Sequence, residues 1–279
     1  MTGSADGQDG DGWNSRNRFV ALLFGDRLGL LLFLSALAFF GLYWRLDIFM
    51  TDSITVVNGL GALGNGHVGI QSPVLGSSLD TPGMHLVGGE AVARNYGEIV
   101  LALPILVVLR GVSMVANLHV ALMAAWHLVL LGLVSLGGPR MKRDRLAIVG
   151  GSAIVLLSFL ANLLVTRGLP AFAPVTASLG ILTLLAAGMA VVICYRLVET
   201  LHGRRLGLFA GGVLAVASPL AFWATFPKRH VFTGLAVLLV LFFVHRSRAV
   251  STMDEWSRGI PRSDPLRGLA YRTTALYAQ

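Results

Sequence analysis

The run "IVLALPILVVLRG", Ile99 to Gly111, decides how this chain is threaded. Ile99 to Leu109 form an apolar stretch that ends at Arg110. Its length suits either a membrane crossing or a helix lying in the interface, and each choice flips the side of every later loop. Longer apolar runs surround it, near 27–44, 118–137, 146–166, 172–194, 206–224 and 231–245. A helix crosses a bilayer with about 17 to 25 such residues. Lys and Arg arbitrate, because cytoplasmic loops carry their excess. If Ile99–Leu109 does not cross, the N-terminal tail, "GGPRMKRDR", "YRLVETLHGRR" and the C-terminal tail lie inside and hold 16 of the 22 Lys and Arg, leaving 6 outside. A crossing throws "RMKRDR" and the basic C-terminal tail outside and reverses the bias. An interfacial helix over 99–116 is therefore expected. Tyr43, Trp44 and Trp223 then fall at one outer boundary, as an aromatic belt requires.

Composition agrees with this threading. With 55% hydrophobic and 13% charged residues and a mean hydropathy of +0.73, the apolar surface must face lipid. The expected fold is an all-α integral membrane protein with about six transmembrane helices plus external interfacial helices. Its parts are a disordered cytoplasmic tail (1–26), a membrane domain (27–245) with an external loop (45–98), and a basic cytoplasmic tail (246–279). Both termini are expected in the cytoplasm of a multi-pass cell-membrane protein. The net charge of +8 sits in short clusters between apolar runs, where it sets topology and meets lipid headgroups. Membrane lipid is thus an expected partner and nucleic acid is not. The single cysteine, Cys194, excludes an intrachain disulfide. No span carries an acidic residue deep in its core, which argues against an ion-coupled transporter. His127 and Asn162, inside spans, read as groups that hydrogen-bond between helices.

Only one external segment is large, and it holds most of the polar variety outside the tails. In "RLDIFMTDSITVVNGLGALGNGHVGI", Asp52 or Ser53 offers an N-cap, and Ile54, Val57, Leu60 and Leu63 recur at helical spacing. A short amphipathic helix on the outer surface is expected. The loop beyond it is rich in Gly, Pro and Ser, with Asp80, His85, Glu90, Arg94, Tyr96 and Glu98 as its reactive groups. His67, His85 and Glu90 lack metal-ligand spacing, so no metal is expected, and no cofactor. In "FWATFPKRHVFTG", Phe222 to Gly234, the threading puts Lys228, Arg229 and His230 outside, against the charge rule. They serve there either as headgroup anchors or as a phosphate site, since Arg offers a planar fork and Lys a point charge.

The order of these features resembles the amino-terminal module of GT-C glycosyltransferases, the polyprenyl-phosphate-sugar-dependent mannosyltransferase type. The residues that carry the likeness are "MTDSITVVNGLGALGNGH" after the first span, "RNYGEIVLALPILVVLRG", "NLHVALMAAWHLVLLGLVSL" and "ASPLAFWATFPKRHVFTGLAVLLVLFF", which together cover about Leu28 to Val244. The resemblance implies transfer of a sugar from a polyprenyl-phosphate donor to an external acceptor. It also implies Asp52 as the catalytic base and Lys228 and Arg229, with His230 nearby, as ligands of the donor phosphate. One departure is Ser53, where many relatives carry a second acid. The alternative is a non-catalytic multi-pass protein, or a subunit whose partner supplies further spans. Asp52 then only caps its helix, and Asp47 pairs locally with Arg45.

Overall fold

The protein is seen in a computed structural model that describes residues 18–48, 50–137, 143–166 and 168–257. Among these, ten helices and one β-hairpin occur. They are α1 (Arg18–Phe24), α2 (Arg27–Leu42), α3 (Thr51–Leu63), β1 (His85–Val87), β2 (Glu90–Val92), α4 (Tyr96–Val115), α5 (Leu118–Gly137), α6 (Arg143–Leu164), α7 (Ala173–His202), α8 (Arg204–Val216), α9 (Leu220–Trp223) and α10 (Arg229–Ser257). The chain divides into two compact units, Met1–Leu239 and Val240–Gln279. The described residues of the second, up to Ser257, are helical.

The all-α membrane fold is as expected, and five helices are long and apolar enough to cross a bilayer: Tyr96–Val115, Leu118–Gly137, Arg145–Leu164, Ala173–His202 and Arg229–Arg248. The apolar run at 206–224 is not one of them. It breaks between α8 and α9, where Pro219 lacks a backbone donor and biases Ser218 away from helix. The first run yields the 16-residue α2. Part of the tail expected over 1–26 is ordered as α1, and residues 1–17 lie outside the described residues. The basic tail expected over 246–279 is helical as far as Ser257, and 258–279 lie outside the described residues.

Helix α7 is the central post. Its 30 residues rise about 45 Å, and it packs against α2, α3, α4 and α8. Small residues let those backbones approach, as membrane helices need: a Cβ on Gly188 would meet the Phe33 ring at 2.9 Å, and one on Gly211 would meet Leu32 at 2.8 Å. The Gly188–Phe33 contact and those of Gly25 with Arg196 and Gly180 with Trp44 run α2 antiparallel to α7. Helix α5 pairs with α2 in the same antiparallel sense, Gly41 facing Trp126 and Arg27 donating to the Leu136 carbonyl.

Helix α4 has the length of a span and packs on the N-terminal part of α7. Ile99, Ala102 and Leu106 share a core cluster with Val175 and Leu179, while Leu109 shares another with Ala173 and Ala177. At the opposite end of α7, Asp26 caps α2 through the Gly29 N–H at 2.7 Å, pairs with Arg204 at 2.9 Å and accepts from the Tyr195 hydroxyl at 3.2 Å.

Helix α3 corrects the sequence reading. It is no surface helix with a wet face: Ser53 and all residues from Thr55 to Ala62 are buried. Thr55 and Asn58 are covered by the loop that follows, whose backbone supplies the hydrogen bonds water would otherwise make. The Asn58 amide oxygen accepts from the N–H groups of Val74 (2.8 Å) and Leu75 (2.9 Å), and its nitrogen donates to the Leu75 carbonyl (3.1 Å). Thr55 donates to the Pro82 carbonyl at 3.0 Å. Gly59 is what lets the loop close, since a Cβ there would collide with the Ala93 side chain at the loop's end.

Candidate functional site

The turn before α10, the first turn of α3 and the start of α4 meet around a cavity of about 80 Å³. Three connections build it. Pro227 stands between α9 and α10, and its carbonyl accepts from the Ser53 hydroxyl at 3.2 Å. Asn95 adopts the left-handed conformation (φ 60°) that Asn tolerates, turning the chain from β2 into α4. Met50 is the N-cap residue of α3, so Asp52 sits inside the first turn and does not cap with its side chain. Its charge still faces the positive end of that helix.

All four residues singled out from the sequence line this one cavity: Asp52, Lys228, Arg229 and His230. Their pairing differs from a base facing a phosphate clamp. Lys228 turns inward, 12% exposed, and its ammonium bonds Asp52 Oδ1. Arg94 Nη2 takes Asp52 Oδ2 at 2.6 Å. Burial pushes the Asp52 carboxyl up, but the Lys228 hydrogen bond and the charges of Lys228 and Arg94 outweigh it and hold the group below the usual carboxylate value. With both oxygens engaged and a weakened proton affinity, Asp52 in this state is an ionic lock. Arg229 and His230 are exposed instead. His230 packs against Trp223 in a tilted ring contact, with centroids 4.7 Å apart. Arg229 forms no ion pair among the described residues.

The sequence underrated two residues, Arg94 and Glu98, which appeared there only among the reactive groups of the loop. Glu98 lines the same cavity, is 7% exposed, and has no hydrogen-bond partner on either carboxylate oxygen among the described residues. Arg94 Nε is likewise buried without a partner. Buried polar groups are nearly always satisfied, so two such groups at one cavity mark a place where something else binds or reacts. The sequence signal was only that both stand at the entrance to an apolar run. No group of three or more His, Cys, Asp and Glu residues fit to hold a metal ion occurs among the described residues.

Other expectations resolve away from the cavity. His127 does bond between helices: its Nδ1 donates to the Met123 carbonyl at 2.7 Å within α5, and its Nε2 accepts from the Ser158 hydroxyl of α6 at 3.5 Å. Asp47 makes no ion pair with Arg45. Comparison of the chain with known protein families, with curated proteins and with solved structures finds no match.

Proposed function

We propose that the chain transfers a sugar from a polyprenyl-phosphate donor to an acceptor hydroxyl at this cavity, on the external side of the membrane. The observation that carries the reading is Glu98, a buried carboxyl with two unpartnered oxygens beside a cluster of cations. In the reaction the acceptor oxygen bonds to the anomeric carbon, the bond from that carbon to the donor phosphate oxygen breaks, and the acceptor proton passes to Glu98. The phosphate departs with its charge balanced by Arg229 and by Arg94, whose Nε is free to donate. Asp52 holds Arg94 and Lys228 in place rather than taking the proton, a change of role from the one the family resemblance implies. The Lys and Arg distribution supports an external cavity with both termini inside, since 16 of 22 fall on the far side.

The test uses full-length protein in liposomes with radiolabelled polyprenyl-phosphate hexoses. Transfer by the wild type, loss in Glu98→Gln with donor binding kept, and weaker donor binding in Arg229→Ala are the expected results. Donor binding unaffected by Arg229→Ala, or transfer undiminished in Glu98→Gln, sinks the reading. The cavity volume favours a second reading: about 80 Å³ has room for a few water molecules. A sugar enters only if the Asp52–Lys228 pair opens. A non-catalytic subunit would keep the pair as a structural staple, and its liposomes would show neither donor binding nor transfer.

A further inference from the structure

A second and much larger cavity, about 660 Å³, lies among α2, α5, α6 and α7. Its volume is that of a ligand pocket, and its walls are mostly aliphatic, with Leu37, Leu122, Val129 and Leu184 among them. Along α5 it reaches from His119 to Val129, roughly 15 Å at 1.5 Å per residue. Three of the four helices around it are long and apolar enough to cross the bilayer. The apolar molecule at hand there is a lipid, and a mostly apolar cleft of about 660 Å³ with this length matches one hydrocarbon chain.

The polar groups at the cleft say which lipid. Asp47 lines it, is exposed, and pairs with no cation among the described residues. No lysine or arginine lines the cleft among the described residues. An anionic headgroup is therefore repelled and a cationic amine is attracted. Asn162, on α6, also lines the cleft and makes no side-chain hydrogen bond among the described residues, so its amide can donate to a neutral carbonyl. A buried donor, Trp126 Nε1, is unmet in the same wall, where Gly41 leaves room for the indole edge.

We propose that this cleft holds one acyl chain of a zwitterionic glycerophospholipid, with the ester carbonyl at Asn162 and the headgroup amine at Asp47. A polyprenyl phosphate fits poorly, since its only polar group is the anion that Asp47 disfavours. The site is separate from the Glu98 cavity and does not depend on the sugar-transfer reading.

The test is native mass spectrometry of the full-length protein released from mixed vesicles of phosphatidylethanolamine and phosphatidylglycerol. One phosphatidylethanolamine is expected to stay bound in preference to phosphatidylglycerol. Leu185→Trp fills the cleft from an exposed position and should abolish retention. Asn162→Leu should lower retention about fivefold, as loss of one neutral hydrogen bond of about 1 kcal/mol gives. Asp47→Asn should lower it about fivefold and erase the preference over phosphatidylglycerol, as loss of a charge contact of about 1 kcal/mol gives. Equal retention of the two lipids by the wild type, displacement by added polyprenyl phosphate, or retention unchanged in Asn162→Leu and Asp47→Asn would overturn the proposal. The latter two substitutions are on partly or fully exposed side chains, so they keep the test decisive if Leu185→Trp fails to fold.

Discussion

Replacing Asp52 by Ala strands two cations at once, and the cost can be worked from their burial. The side chains of Lys228, Arg94 and Asp52 are 12%, 30% and 32% exposed. Their pairs fall between a surface bridge, about 0–1 kcal/mol, and a buried pair broken by loss of one partner, about 3–5 kcal/mol. Because Lys228 is the more enclosed, Asp52→Ala should destabilise by about 3 kcal/mol. Lys228→Met leaves Asp52 bonded to Arg94 and should cost only about 1 kcal/mol. The double variant should cost about 2 kcal/mol, less than the sum, because no unpaired lysine remains. The chain supplies its own reporter, since its single cysteine, Cys194, lies half-buried in α7. A thiol-reactive fluorogenic dye added during thermal or denaturant unfolding in detergent reads the opening of α7 directly. Additivity of the two substitutions within about 0.5 kcal/mol would refute the lock.

Three further outcomes follow from the same geometry. The stability difference between wild type and Asp52→Asn should stay flat from about pH 5 to about pH 8 and vanish only in acid, because a carboxylate held below its usual value contributes fully above that value and loses its contribution as pH falls through the lowered one; dye-monitored unfolding across pH checks it, and a loss centred near neutrality would contradict it. Asn58→Ala should cost about 3 kcal/mol by leaving three loop backbone groups without their partner, and limited proteolysis should then cut within 64–95. In a Cys194→Ala background, Leu86→Cys should react with an impermeant maleimide on intact cells and His202→Cys should not; labelling of His202→Cys alone would invert the proposed orientation. A cysteine beside Lys142, another natural choice from the sequence, lies outside the described residues.

Periodicity and apolar run length made the fold legible, since both depend on residues near one another in the chain. The helices α5 and α6 follow the runs at 118–137 and 146–166 closely, and α7 follows the run at 172–194 but continues to His202. Ser218–Pro219 shows the limit of run length, because hydropathy averages over a break that backbone chemistry enforces. Helix α3 shows another. Its alternation of apolar with polar residues has the form of a surface helix, and only the loop bonds to Asn58 and Thr55 make a buried one. The cavity was half legible. Asp52 and Lys228 stood out as charges beside apolar runs. That they bond each other is a contact across 176 residues, which no local pattern encodes. Glu98 was hidden because burial, not its identity or spacing, is what sets it apart.

The lock at Asp52 also imposes an order on how the protein is made. Arg94 follows Asp52 by 42 residues, whereas Lys228 follows by 176 and stands at the threshold of α10. During synthesis from the N-terminus, the carboxylate meets its arginine early and waits for its lysine until α1 to α9 have left the ribosome. Until then one wall of the Glu98 cavity does not exist. A nascent chain that stalls before Pro227 therefore lacks the wall that Lys228 supplies, and the site is first assembled when Lys228 arrives, with α10 still to follow.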